Sequence, residues 1–377
     1  MSSSNPVTVS YTSRQARLAE VMSKSGLECI ALNPGPSLTY LTGLNFHLME
    51  RPVVALFLCA GTPIIILPRL EAPKLEALSY KMRAFTYDEE PTEWPGVFQK
   101  AVQAAGINKS KVGVEPTRLR FLELKMLEHA ASKAQFLSAE ASLSALRMFK
   151  DESEVAIMRK AVDIAQRGLQ ATLPAVKPGV TERELAAELM LQLLRAGGDP
   201  EAAFSPIVSG GPNSANPHAS PTDRPLQNGD LLVIDWGASY KGYISDLTRT
   251  FAIGKIEPEF EQIAGIVAEA NAASRLTAGP GVVAGLVDKA ARQVIEKAGY
   301  GAYFFTRVGH GIGMEVHEEP YIRAGNPLLL QPGMAFTIEP GIYLTGRNGV
   351  RVEDNVVITS TGIDCLSDLP RELRHIG

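Results

Sequence analysis

A chain of 377 residues with 45% hydrophobic and 21% charged residues has the make-up of an ordinary globular protein, long enough for two domains and a large buried core. A formal net charge of −4 gives no general attraction to phosphate backbones or anionic lipid, so neither a nucleic-acid nor a membrane partner is expected. Cys29, Cys59 and Cys365 are widely spaced and read as buried reduced thiols, and with no CxxC pair and no HExxH helix the thiolate-rich zinc sites and the commonest single-zinc protease motif are excluded.

The opening MSSSNPVTVSYTS has neither the basic nor the apolar region of a secretory signal, and a cytoplasmic protein is expected. Ser13 to Ser25 is amphipathic, and Glu28 to Leu32, Val53 to Cys59 and Pro63 to Leu67 are β-rich. The apolar stretch from Val53 to Pro68 is broken by Gly61-Thr62-Pro63, which predicts two strands around a turn and not a membrane span. A helix near Trp94 to Ala105, a strand near Lys111 to Gly113 and a helix around Phe121 to Ala131 complete an α/β unit, placed at 1–142. The second domain, 143–377, starts from Leu143, and Val155, Met158, Val162, Ala165 and Leu169 recur at helical spacing near its beginning.

This second part contains a repeat. Pro178-Gly179-Val180 recurs as Pro280-Gly281-Val282 and Ala196-Gly197 as Ala298-Gly299, both at an offset of 102 residues, as from 178 to 280. Each copy has a long helix before the Pro-Gly and a second helix that ends at the later glycine, the first copy with a capping box at Thr181 and Glu184. β-rich sequence follows each pair, from Leu231 to Ile253 and from Met334 to Ile358, so two helix-helix-sheet halves about a pseudo-two-fold axis are expected.

Four acids stand in these β-rich segments. Asp235 ends the apolar run from Leu231, and Asp246 follows the Lys241-Gly242 turn, so antiparallel strands bring the two together. A plainer role for Asp246 is an ion pair with Arg249 or a turn cap. Glu339 and Glu353 repeat the arrangement in the second half. Four assembled carboxylates repel one another unless protonated or neutralised, and two divalent cations balance them. The oxygen-rich set favours manganese, cobalt or zinc over a thiolate-preferring metal. His310 lies between Gly309 and Gly311, where backbone can approach a ligand closely, and His218 sits in a loop rich in Pro, Asn and Ser. His47, His129 and His375 have no comparable setting.

Taken in order, NPHASPTDR, GDLLVIDWGASYKGYISDLTRTF, GHGIGMEVHE, TIEPGIY and GVRVEDNVVIT resemble the metallopeptidase family that includes proline dipeptidase, aminopeptidase P and methionine aminopeptidase. The resemblance runs from about Lys150 to Ile358 and implies an α+β pita-bread catalytic domain preceded by a smaller creatinase/prolidase-like α/β domain that makes substrate and dimer contacts. Carried over, Asp235 and Asp246 bind or bridge two divalent ions per subunit, manganese in the first place, His310 binds one, Glu339 binds it and shuttles protons, and Glu353 bridges. His218 and His317 hold the substrate and stabilise the tetrahedral intermediate, and Arg351 positions Glu353. The N-terminal domain, with Tyr40-Leu41-Thr42-Gly43 and Glu50-Arg51-Pro52, resembles that of the proline-specific branch, whose members are usually homodimers. Those relatives commonly carry a histidine four residues before the metal-binding one, where this chain has Thr306.

The activity this implies is removal of an N-terminal residue preceding proline by a hydroxide that bridges the two metals, as an Xaa-Pro dipeptidase or aminopeptidase acting on short peptides. Arg51 and His47 are candidates to meet a substrate carboxylate. Thr306 keeps a second reading open, hydrolysis of another small C–N bond on the same scaffold, and a third is a non-catalytic binding module.

Overall fold

Short apolar runs separated by turn residues dominate the first third of the chain, and in the computed structural model, which describes Ser10 to Ile376, they assemble into one mixed sheet. The expectation for the signal-free start therefore falls, through residue 9, outside the described residues. The chain divides into two units at Arg147/Met148 rather than before Leu143. In the first unit the strands β1 (Cys29–Leu32), β2 (Val54–Leu58), β3 (Ile64–Pro68), β4 (Arg83–Tyr87), β5 (Lys111–Val114) and β6 (Gln135–Ser138) lie in the order β4-β3-β2-β1-β5-β6. The helices are α1 (Tyr11–Ser25), α2 (Pro36–Thr42), α3 (Trp94–Ala105), α4 (Phe121–Ala130) and α5 (Glu140–Arg147). The last belongs here because Ser142 meets Ser25 at 3.1 Å and Arg147 donates to Ser37 at 3.1 Å.

Strands β1 and β3 are buried on both faces and β2 nearly so, which is why they read as unbroken apolar runs. The turn between β2 and β3 forms with Gly61 at φ 113°, a conformation favouring glycine. The edge strands β4 and β6 are half-exposed and polar, so they carry no such signal in the sequence. The expectation of buried thiols holds for Cys29 alone; Cys59 is exposed and Cys365 half-buried.

The second unit opens with α6 (Glu152–Thr172) and α7 (Glu182–Arg195), followed by β7 (Ile207–Gly210), β8 (Leu231–Trp236), β9 (Ser239–Tyr240), β10 (Tyr243–Ile244) and β11 (Leu247–Ile253). It continues with α8 (Pro258–Thr277), α9 (Ala284–Lys297), β12 (Gly309–Gly311), β13 (Glu318–Ile322), β14 (Ala335–Ile338), β15 (Gly341–Tyr343), β16 (Gly349–Arg351), β17 (Asp354–Ile358), β18 (Ile363–Cys365) and β19 (Arg374–Ile376). The repeat is structural: α7 and α9 are 102 residues apart at both ends. Gly179 and Gly281 turn at φ 92° and 81°, and their N–H groups donate to Leu226 and Leu330 carbonyls at 2.8 and 2.7 Å.

The sheets repeat as well. The order β11-β8-β7 within one antiparallel ladder matches β17-β14-β12 within the other. Leu185 and Leu189 pack with Leu232 and Trp236 in the first half, and Val287 and Ala291 with Phe336 and Ile338 in the second, so each helix pair covers its own sheet. This is the α+β pita-bread arrangement expected from the sequence. Among the described residues no helix is long and apolar enough to cross a membrane.

Candidate metal centre

Equivalent strand ends of the two halves carry the four acids. Asp235 is the penultimate residue of β8 and Glu339 lies one past its counterpart β14, while Asp246 and Glu353 immediately precede β11 and β17. Within the first half, Thr248 is the cross-strand partner of Asp235. Between the halves, Thr248 faces Glu353 in an isolated antiparallel bridge, with the Glu353 N–H donating to the Thr248 carbonyl at 3.1 Å. That bridge brings the two pairs of acids together.

One side-chain atom each from Asp246, His310 and Glu353 lies within 4.8 Å of the others, in a fully buried cluster. The His310 Nε2 is 3.2 Å from Glu339 Oε1 and 3.7 Å from Asp246 Oδ2. His310 Nδ1 lies 3.1 Å from the Gly311 carbonyl, an acceptor only, so it donates there and leaves Nε2 directed at the two carboxylates. A ring nitrogen at that place can share a proton with a carboxylate or, deprotonated, share a cation with it.

The carboxylates make the same demand. Among the described residues, Asp235 Oδ1, Asp246 Oδ1 and Glu353 Oε1 are buried with no hydrogen-bond partner. Burial, with the negative charge of Glu353 and Asp235, raises the Asp246 carboxyl well above its usual range. Burial and the charges of Glu339 and Asp235 do the same to Glu353, and burial raises Asp235 against the pull of Arg351. Glu339 departs from this pattern: burial raises it too, but the hydrogen bond and charge of His310 and the charges of Arg351 and Arg307 bring it below its ordinary value. Unpartnered oxygens, one imidazole nitrogen and no thiolate fit hard or borderline divalent ions.

The surrounding polar groups tie each half's acids to the other half. Arg351 donates to Asp235 Oδ2 at 2.7 Å and to Thr248 Oγ1 at 3.1 Å, and Thr248 in turn donates to Glu353 Oε2 at 2.7 Å. Arg351 thus holds Asp235 directly and reaches Glu353 only through Thr248. Its remaining nitrogen donates to the Tyr343 hydroxyl at 2.9 Å and to the Pro217 carbonyl at 3.4 Å, next to His218. Asn355 accepts from the Asp246 N–H at 3.0 Å and donates to its carbonyl at 2.6 Å. Asn271 donates to the Ile338 carbonyl at 3.0 Å, bracing the backbone before Glu339. Thr248, Tyr343 and Asn355 lie inside the quoted motif segments without having been singled out, and Asn271 lies outside them, its only signal a polar residue in a buried helix face.

One plainer expectation is overturned. Arg249 does not pair with Asp246 but with the buried Asp354 at 2.9 Å, and it also donates to the Glu353 carbonyl at 2.6 Å. The glycines beside His310 make room for neighbouring strands: a Cβ on Gly309 would collide with the Thr337 carbonyl, and one on Gly311 with the Glu319 carbonyl. His317 packs edge-on to His310 with ring centroids 4.2 Å apart, and burial with the positive charge of His310 and Arg307 pushes it down to about 4. His218 is exposed, and its charge is felt at His317. The Thr306 hydroxyl is buried without a partner. In the first unit Arg51 pairs with Glu89 at 2.8 Å and Glu50 at 3.3 Å, and His47 is exposed.

Comparison with known proteins places the chain in a family. Residues 156–360 match the model of metallopeptidase family M24, and 14–149 match the creatinase/prolidase N-terminal domain. A putative dipeptidase, YkvY, of Bacillus subtilis is 34% identical over 96% of this chain and 99% of its own length. The Xaa-Pro dipeptidase of Lactobacillus delbrueckii subsp. lactis is 32% identical over 95% and 97%. Among solved structures, prolidase from Thermococcus sibiricus superposes with a TM-score of 0.91 at 34% identity over 98% of this chain and 100% of its own. Dipeptidase PepE from Mycobacterium ulcerans does so with 0.89 at 37% identity over 97% and 98%. With both units matched in their expected order and the acids and His310 inside the catalytic match, the chain belongs to metallopeptidase family M24 and is a prolidase-like hydrolase of the pita-bread fold.

Proposed function

We propose that this enzyme uses two divalent ions to remove the N-terminal residue preceding proline, as an Xaa-Pro dipeptidase or aminopeptidase. The observation that carries the metal reading is the set of buried oxygens on Asp235, Asp246 and Glu353 without partners among the described residues, together with His310 Nε2 directed at neighbouring carboxylates. The names of relatives such as the Lactobacillus Xaa-Pro dipeptidase support the substrate class. Asp235, Asp246, His310, Glu339 and Glu353 would hold the ions, which when bound act as Lewis acids and lower the pKa of water toward neutrality.

The protein groups divide the remaining work. Glu339 is the acid kept ionised and the most open of the set, its side chain 20% exposed, so it is the one suited to take a proton and return it to the leaving nitrogen. His317 is neutral at physiological pH and offers an N–H to the carbonyl oxygen as negative charge develops there. His218 approaches from its exposed loop, steadied through the contact of Pro217 with Arg351. An imino-acid leaving group has no amide hydrogen, so recognition rests on ring shape. Manganese as the working ion, a homodimer and a cytoplasmic setting are parts of this reading carried by the resemblance. Hydrolysis of another small C–N bond is the second reading, favoured by Thr306. Assay of Xaa-Pro, Xaa-Pro-Xaa and proline-free dipeptides with manganese separates them: cleavage of proline substrates is expected, and activity on none of the proline substrates removes the Xaa-Pro assignment.

A further inference from the structure

Arg307 lies between two rigid anchors. On one side the Thr306 carbonyl accepts from Arg292 at 3.0 Å; on the other, Val308 donates to the Ile322 carbonyl at 3.1 Å and to Asp288 at 3.2 Å, and accepts from the Glu339 N–H at 2.6 Å. The segment carrying Arg307 is therefore bonded directly to the backbone of Glu339 and enters the strand of His310. The half-buried guanidinium rests over the Tyr321 ring, 4.7 Å from its centroid. Tyr321 is itself pinned, donating from its N–H to Glu319 at 3.0 Å and accepting from Asn326 at 2.6 Å.

Stacking on a ring face orients a guanidinium without using its N–H groups. Among the described residues Arg307 has no hydrogen-bond or ion-pair partner, in contrast to Arg51, Arg249, Arg292 and Arg351, each committed to a carboxylate. Its charge is nonetheless felt at both His317 and Glu339, the groups that flank the reacting bond in the proposed mechanism. A fixed, unneutralised fork of donors beside a reaction centre matches a carboxylate. In a dipeptide the free carboxylate lies one residue beyond the scissile bond, a reach of about 3.5 Å.

We propose that Arg307, held over Tyr321, binds the C-terminal carboxylate of the substrate and selects dipeptides over longer or amidated peptides. This rests on the peptidase reading given above. It assigns the carboxylate to a residue of the catalytic unit in place of Arg51, the candidate from the sequence, which lies in the first unit and is already paired with Glu89.

The test is steady-state kinetics of manganese-loaded enzyme on a dipeptide and on the same dipeptide as its C-terminal amide. Arg307→Met keeps an aliphatic stem over Tyr321 and removes the donors; Arg307→Lys keeps the charge without the fork. The wild type is expected to favour the free acid. Arg307→Met is expected to raise KM for the acid about 10- to 100-fold more than KM for the amide, the worth of a hydrogen bond to a charged group, with any change in kcat shared by the two substrates. Arg307→Lys should recover part of the loss. Equal handling of acid and amide by the wild type, or an equal loss on both in Arg307→Met, overturns the proposal while leaving the peptidase standing. A wild type inactive on every peptide overturns the peptidase reading and this proposal with it.

Discussion

The two halves of the catalytic unit have the same element order and do different chemistry. Each supplies two acids at equivalent strand ends, but only the second supplies a histidine to the candidate ligand set. The residue 102 positions before His310 is Val208, fully buried in β7 of the first sheet. Topology is set by features of the backbone, such as helix lengths and glycines at positive φ, and those repeat. Ligand chemistry depends on single side chains. The halves also support each other reciprocally: Thr248 of the first holds Glu353 of the second, while Arg351 and Asn355 of the second hold Asp235 and Asp246 of the first. Neither half presents its acids alone.

The largest effect should come from removing a ligand at the meeting point. Asp246→Ala or Glu353→Ala is expected to abolish metal binding and to lower kcat/KM by more than the roughly 10- to 100-fold typical of an outer-shell change. Metal analysis beside the assay checks it, and retained activity would mean that these acids do not hold the ions. His310→Val gives the second half the residue of the first and should lower metal content as well.

Thr248→Val addresses the reciprocal support. The chain should fold normally, but Glu353 loses its hydrogen bond and Arg351 its route to Glu353, so metal affinity or kcat should fall about 10-fold. A metal titration indistinguishable from wild type would show that each half holds its own acids.

The acids also predict a pH dependence. In the metal-free protein Asp246 and Glu353 are raised, so the folded state keeps protons that the unfolded chain releases. Their contribution to metal-free stability is therefore lost as pH rises from the ordinary carboxylate range. Metal binding requires the ionised forms, so the gain in Tm on adding manganese should widen with rising pH and close in acid. Calorimetry with and without metal measures this, and a gain independent of pH would contradict it.

The smallest effect lies at a helix start where the halves differ. Thr181 caps α7 and exchanges hydrogen bonds with Glu184, whereas Val283, at the same place before α9, offers no side-chain cap. Thr181→Ala should cost about 1 kcal/mol in urea unfolding with activity unchanged.

How much of this was legible varied with how local the signal is. The repeat could be read because Pro-Gly turns and terminal glycines mark helix ends within a few residues. The capping box at Thr181 and the span of α3 are local in the same way. The edge strands β4 and β6 were not, because half-exposed strands lose the apolar pattern. Thr248 and Asn271 escaped because a buried polar side chain has meaning only once its partner is known.

By itself the sequence determined the order of the elements, the two-half plan and the identity of the five candidate ligands, since periodicity, turn residues and acids in apolar strands are all short-range features. Only the tertiary structure decided who meets whom. Arg249 sits three residues from Asp246 and yet goes to Asp354, Arg351 goes to Asp235, and Arg307 is left, among the described residues, with an aromatic ring and no counter-charge. Those pairings depend on the register of the bridge between Thr248 and Glu353, residues 105 apart, and no local rule of the chain encodes a register between two sheets.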